Sequence, residues 1–209
     1  MPAETKTPSP ELVDAIKRFT DTHNGRLYMP IAHPAFRDYP ATRGTGRFDL
    51  IRPHLDRRGG TALDIGTHFG AFAHFLEDEG YRVTAVEHNE LYVFISEQLR
   101  DLSGKKFEVI HGSVFEMKKP HYDVALALNI FHHFLKTEKR FKLLEAFLKR
   151  LKVKTIFFQA HDVEEKQMDD AYRNMDQDEF ATFIAERTGM RQVIDIGNER
   201  KRTLYKMTR

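Results

Sequence analysis

The sequence predicts an α/β fold. The expected form is a doubly wound, seven-stranded, mostly parallel sheet with a C-terminal antiparallel hairpin and an N-terminal helical or lid segment. Three observations carry this. The stretch Thr61-Ala-Leu-Asp-Ile-Gly-Thr-His-Phe-Gly70 is a short apolar run ending in an acid, followed by a glycine turn. Behind it Phe72, Phe75 and Leu76 recur at helical spacing, so it reads as strand, tight loop, helix. A second such unit, Tyr81-Arg-Val-Thr-Ala-Val-Glu-His-Asn-Glu90, ends its strand at Glu87, roughly 20 residues past the first glycine. Tyr122 to Leu128, with Asp123 near its start, is a continuous apolar run that suits a central parallel strand buried on both faces.

The composition sets the outer limits. With 209 residues and 41% apolar content, the chain makes one domain with a core, or one domain with an N-terminal elaboration. Its 33 basic and 31 acidic residues nearly cancel, so net charge gives no footprint for nucleic acid. No apolar run is long enough to span a bilayer and no leader pattern opens the chain, which reads as a cytoplasmic protein. The absence of cysteine excludes disulfides, thiolate metal sites and a cysteine nucleophile.

Residues 1–46 read as a tail, a helix and a possible lid, and 47–209 as the main domain. Residues 1–9 lack periodicity. Ser9-Pro10 then offers a helix cap and first residue, with Leu12, Ile16 and Phe19 on one face and Asn24-Gly25 as the break. Arg26 to Tyr39 is proline-broken and rich in aromatics, including Tyr28. It is either an irregular segment packed on the core or a lid over a substrate pocket. Arg43-Gly-Thr-Gly-Arg47 places two guanidiniums around flexible glycines. They are either a clamp for a phosphate or carboxylate or solvated residues at a helix start. Phe48, Ile51 and Leu55 form the next apolar face, with Pro53 kinking or ending it, and Arg57-Arg-Gly-Gly60 turns into the first strand.

Beyond the second strand, Leu91, Phe94, Ile95 and Leu99 mark a helix, Phe107 to Ile110 a third strand, and His111-Gly-Ser-Val114 a polar turn. The central strand runs into Asn129-Ile-Phe-His-His133. Phe141, Leu144, Phe147, Leu148 and Leu151 mark a long helix, and Val153 to Phe158 the fifth strand. Asp176 or Asp178 starts another helix that Gly189 stops. Gln192 to Ile196, a turn over Gly197 to Arg200, and Thr203 to Met207 read as the closing strand pair.

The first loop and the acid that ends the second strand resemble the class I S-adenosylmethionine-dependent methyltransferases, of the small-molecule type. Asp64, Gly66 and Gly70 match the family's apolar-Asp-x-Gly-x-Gly-x-Gly pattern, His68 replaces its middle glycine, and Glu87 matches its ribose-binding acid. The resemblance covers roughly Arg47 to Arg209 and implies a Rossmann-like fold with S-adenosyl-L-methionine as the cofactor. It implies a cofactor site of Asp64, Gly66, Thr67, His68, Gly70, Glu87, Ser113, Val114 and Asn129, with Ser113 where the family often has an adenine-binding acid. A dinucleotide fits less well, because Gly66-x-x-x-Gly70 lacks the spacing that seats a pyrophosphate.

The residues after Leu128 bear on the acceptor. Asn129-Ile-Phe-His132 lacks the two prolines of base-amino methyltransferases, while Phe131 to Phe134 resembles the apolar-His-His-apolar run of small-molecule enzymes. His132 and His133 are therefore the candidate catalytic bases, against a reading as a structural helix-start pair. Tyr28, Arg43 and Arg47 are the candidate substrate contacts. His161-Asp162 with Glu164 and Glu165 reads as an acidic surface loop in preference to a metal site, so no metal is expected. The lack of cysteine removes C5-methylation of pyrimidines and radical methylation. The expected activity is methyl transfer to an oxygen or nitrogen of a small-molecule or sugar-like acceptor. An RNA or protein methyltransferase, or a non-catalytic partner subunit, are the alternatives. Oligomeric state is left open.

Overall fold

The computed structural model describes residues 6–56 and 58–209. The start of the expected N-terminal tail and Arg57 of the expected turn lie outside the described residues. Seven strands form one sheet in the order β3-β2-β1-β4-β5-β7-β6. They are β1 Gly60–Ile65, β2 Tyr81–Glu87, β3 Glu108–His111, β4 His121–Leu128, β5 Lys152–Gln159, β6 Gln192–Glu199 and β7 Arg202–Thr208. The first five pair in parallel, and β7 runs antiparallel to both β5 and β6. The helices are α1 Pro10–Thr22, α2 Gly46–Ile51, α3 Ala71–Asp78, α4 Glu90–Leu102, α5 Glu138–Arg150 and α6 Gln177–Thr188.

Strand order reverses between β1 and β4. In an open parallel sheet the carboxyl ends on either side of such a point frame a ligand crevice. Here that rule brings the Gly66 loop beside Asn129. The sheet is covered on both faces. One apolar cluster joins β1, β4 and β5 to α5 and α6, and a second joins the opposite face to α2 and α3. A third seats Leu12, Ile16 and Phe19 of α1 against Ile95 and Leu99 of α4, as the periodicity required. The Ser9 hydroxyl accepts from the Leu12 N–H at 3.1 Å, satisfying an otherwise orphaned donor at the start of α1.

The Arg26–Tyr39 segment is irregular and packed. Leu27, Met29 and Phe36 are buried, and Leu27 bridges to Ala41. α2 stops at Ile51, and Pro53 sits in the 3-10 turn that follows. Asp176 and Glu179 form a reciprocal capping box at the start of α6, and Gly189 ends it with φ +71°.

The closing hairpin differs from expectation. β6 runs on to Glu199, and the turn consists of Arg200 and Lys201, both left-handed at φ 53° and 64°. Such a two-residue turn matches the twist of antiparallel strands, and here two non-glycine residues adopt it. Gly197 is not the turn: it sits at a register shift within β6, where a Cβ would come 2.8 Å from Leu50 Cδ1.

Candidate donor cleft and strand-tip polar cluster

A cleft of about 500 Å³ opens at the tips of β1, β2 and β3. Gly66, Glu87, His88, Ser113, Val114, Ile130 and His133 line it. Glu87 closes β2 with its carboxylate aimed back at the glycine loop. Oε2 accepts the His68 N–H at 3.0 Å, and Oε1 accepts those of His88 and Asn89 at 2.8 and 3.0 Å. Three backbone donors fix its orientation and leave lone pairs for a further donor on the cleft side.

Gly66 adopts φ +71°, and a Cβ there would lie 2.8 Å from Ile130 Cδ1, so the residue must lack one. Gly70 caps α3 at φ +81°, where a Cβ would meet Ser96 Oγ at 2.6 Å. Asp64 is buried at the end of β1 and accepts from the Thr67 hydroxyl at 2.5 Å. Burial raises its pKa to about 6. The Ser113 hydroxyl accepts from the Phe115 N–H at 3.3 Å and starts the short turn that carries Val114.

His68 adopts a left-handed φ of 56° in the place of a glycine. Its ring lies 5.4 Å from Phe19, 5.1 Å from Tyr28, 4.1 Å from Phe69 and 4.3 Å from Tyr92 between centroids. Burial, with a smaller contribution from His23, lowers its pKa to about 3. A neutral imidazole thus joins α1, the 26–39 segment and α4 to the glycine loop.

A second cleft of about 250 Å³ runs between residues 28–33 and α3, with Asp64, Gly66, Thr67 and Leu128 at its inner end. Tyr28 and Arg47 line it, and Arg43 does not. Arg47 is not solvated, contrary to one of the two readings of its loop: it is 1% exposed. Its guanidinium sits 4.9 Å over the Phe72 ring and 3.3 Å from the Glu199 carboxylate, with Nε lacking a well-directed partner. Arg43 is half-buried, and its N–H donates to the Tyr28 carbonyl at 2.8 Å.

Past β4 lies a polar cluster that the sequence did not announce. Asn129 takes φ 57°, and its N–H donates to the Gln159 carbonyl at 3.0 Å. Its Oδ1 accepts from Arg202 Nη1 at 2.7 Å, and its Nδ2 lies 3.5 Å from the Tyr28 hydroxyl. Arg202 Nη2 also binds the Glu165 carboxylate, and the Arg202 carbonyl accepts from the Gln159 amide at 3.0 Å. Arg202 is 73 residues from Asn129 in sequence. Only the pairing of β5 with β7 brings them together, so no local signal marks the residue.

His132 is 3% exposed, and its ring lies 4.0 Å from His133 and 5.4 Å from His161. Its pKa falls to about 2 through burial first, then the charges of His133, His161, Arg202 and Lys136. His133 falls to about 4 by burial, helped by Lys136, Arg140, Arg202 and His88. Both imidazoles are therefore neutral and weakly basic at pH 7, unlike an unperturbed histidine near 6.5. In the 161–165 loop, His161 Nε2 bonds Asn174 at 2.9 Å, Asp162 Oδ1 accepts the Glu164 N–H at 3.1 Å, and Glu165 holds Arg202. Among the described residues, no group of three or more His, Cys, Asp or Glu is placed to hold a metal ion.

An open sheet with an acid-tipped second strand and a glycine loop at the switch point is the arrangement in which α/β proteins place a ligand crevice. Residues 63–157 match the family model described as a methyltransferase domain, and the sheet order is that of a Rossmann-like methyltransferase fold. No curated protein matches the sequence significantly. Among solved structures, monomeric WbdD aligns at TM-score 0.74 and 18% identity over 91% of this chain and 48% of that one. Another of its structures describes WbdD as a bifunctional kinase-methyltransferase. The chain thus spans about half the length of that relative. A SAM-dependent methyltransferase from Aquifex aeolicus aligns at TM-score 0.55 and 20% identity, over 77% of this chain and 86% of its own. The PH0226 protein from Pyrococcus horikoshii OT3 aligns at 0.60 and 16%, over 87% and 94%. These likenesses are of fold. No helix among the described residues is long and apolar enough to cross a membrane.

Proposed function

We propose that the chain transfers a methyl group from S-adenosylmethionine to an oxygen or nitrogen of a small-molecule acceptor. The observation that carries this is Glu87: its carboxylate is fixed by three backbone N–H groups and lines a cleft with Gly66, Ser113 and Val114. Those residues fit the donor. Glu87 would accept its ribose hydroxyls, Val114 and Ile130 would flank its adenine, and the Gly66–Gly70 loop with Asp64 would receive its amino-acid end. When bound, the donor supplies a methyl group on a positively charged sulfur. The protein's own task is then to hold the acceptor in line behind that methyl and to exclude water.

Tyr28, Asn129 and the inner end of the second cleft support an acceptor site next to the donor cleft, with residues 26–39 roofing it. The balance of 33 basic and 31 acidic residues favours a small acceptor over RNA. Glu87→Ala should weaken S-adenosylmethionine about 10- to 150-fold, the worth of hydrogen bonds to a charged group. Calorimetry showing equal affinity in parent and variant removes Glu87 from the site, and a preference for NAD removes the donor.

A further inference from the structure

The cluster at the tips of β4, β5 and β7 bears on the acceptor's chemistry. Asn129 follows β4 at the switch point, where a small acceptor would approach the donor. Its Oδ1, the atom that would receive a hydrogen from an amine, already accepts from Arg202 at 2.7 Å. Arg202 is 8% exposed, and its other terminal nitrogen carries the Glu165 carboxylate. A guanidinium fork, a tyrosine hydroxyl on the far side of Asn129 and an internal carboxylate already docked on the fork describe a receptor for an oxyanion.

Among the described residues, the carboxylates near it are already engaged. The Glu165 carboxylate is consumed by Arg202, and Asp64 is buried under Thr67. Burial first, and then the nearby Lys136 and Arg202, oppose protonation of the His132 and His133 imidazoles. An alcohol or ammonium acceptor would have to pass its proton to one of these engaged or weakly basic groups, or to water. An acceptor that arrives as an anion has none to lose.

Building on the methyltransferase reading, we propose that the acceptor is an oxyanion, a carboxylate or a phosphate monoester, seated on Arg202 in the place Glu165 now fills. The acceptor oxygen forms its bond to the methyl carbon as the carbon–sulfur bond breaks. The electron pair of that bond stays on sulfur, neutralising it, and no proton moves. An anion and a cation become an ester and a thioether. Glu165 sits between β5 and α6, in the 160–176 loop, so its side chain leaves the fork without disturbing the sheet.

The test uses tritiated-methyl S-adenosylmethionine with benzoate, phenyl phosphate, benzyl alcohol and benzylamine as probes. Label is expected on benzoate or phenyl phosphate. Mild alkali releases volatile methanol from the carboxylate ester and not from the phosphate ester, which separates the two sources. Arg202→Gln should raise KM for the active anion at least about tenfold, and Arg202→Lys should recover part of it, while S-adenosylhomocysteine affinity stays at the parent value. Glu165→Gln, away from the sheet, should lower that KM by removing the internal competitor. Label on the alcohol or amine overturns the proposal. So does the failure of both anions to accept label or to shift the melting temperature of the S-adenosylhomocysteine complex. Absence of S-adenosylhomocysteine binding in the parent would instead sink the donor reading.

Discussion

At the residue scale, the histidine pair changes meaning between sequence and structure. Adjacent histidines past the central strand invite a reading as general bases, which would give a rate rising through a pKa near 6.5. Burial, helped by the charges of Lys136 and Arg202, instead holds His132 at about 2 and His133 at about 4. The rate between pH 6 and 8 should therefore show no imidazole inflection. An inflection near 6.5 that vanishes in His132→Ala would reinstate the base. The two rings also divide by location, which sequence spacing cannot reveal. His132 packs among other rings, so truncation should cost about 2–3 kcal/mol of stability, read by denaturant unfolding. His133 lines the donor cleft, so His133→Ala should raise the donor Kd more than it lowers kcat. Arg47 teaches the same lesson. Gly44 and Gly46 just before it suggest an exposed loop, yet the guanidinium is buried over Phe72 because α2 folds against α3.

At the element scale, most of the fold was legible. Continuous apolar runs mark strands buried on both faces, and the i, i+3, i+4 spacing marks the helices that cover them. The hairpin turn was the exception, because Gly197 is the obvious turn former and the physics lay elsewhere. Its freedom serves a bulge and the close approach of Leu50, while Arg200 and Lys201 accept the left-handed cost. Asp123 is a further tie between elements that patterning alone does not show. It accepts from the Thr61 N–H and hydroxyl at 2.8 and 3.0 Å and pairs with Lys154 at 2.6 Å, lacing β1, β4 and β5. The Lys154 and Thr61 hydrogen bonds lower its pKa to about 2. A depressed carboxylate stabilises the fold above its unfolded pKa near 3.8, and the contribution fades as pH falls through that value toward 2. Asp123→Ala should cost about 1–2 kcal/mol at pH 7, with solvent screening of the Lys154 pair holding it to the lower range. The parent–variant difference in chemical denaturation should shrink below pH 3. A constant difference down to pH 2 would contradict it.

At the scale of the whole molecule, Asp64 links stability to function in the opposite sense. It lies under the glycine loop where β1 meets the switch point, and burial lifts its pKa to about 6, against the smaller effect of the Thr67 hydrogen bond. Folded Asp64 thus holds its proton more tightly than the unfolded chain. Between about pH 4 and 6 the native state binds more protons, so this residue makes stability fall as pH rises through that window. Above pH 6 the folded protein carries a buried carboxylate whose full cost is present. A shift of about two units corresponds to about 3 kcal/mol at most, and hydrogen bonding in the variant reduces what can be recovered. Asp64→Asn keeps the shape and removes the charge. Its melting temperature at pH 7.5 should exceed the parent's, and the gap should close as pH approaches 4. The same change should weaken S-adenosylmethionine, because an ionised Asp64 complements the positively charged amino group of the donor. A variant that gains stability and loses donor affinity would show that the strained acid is kept for binding. A variant less stable than the parent at pH 7.5, with donor affinity intact, would show that Asp64 serves only to hold Thr67 and the loop.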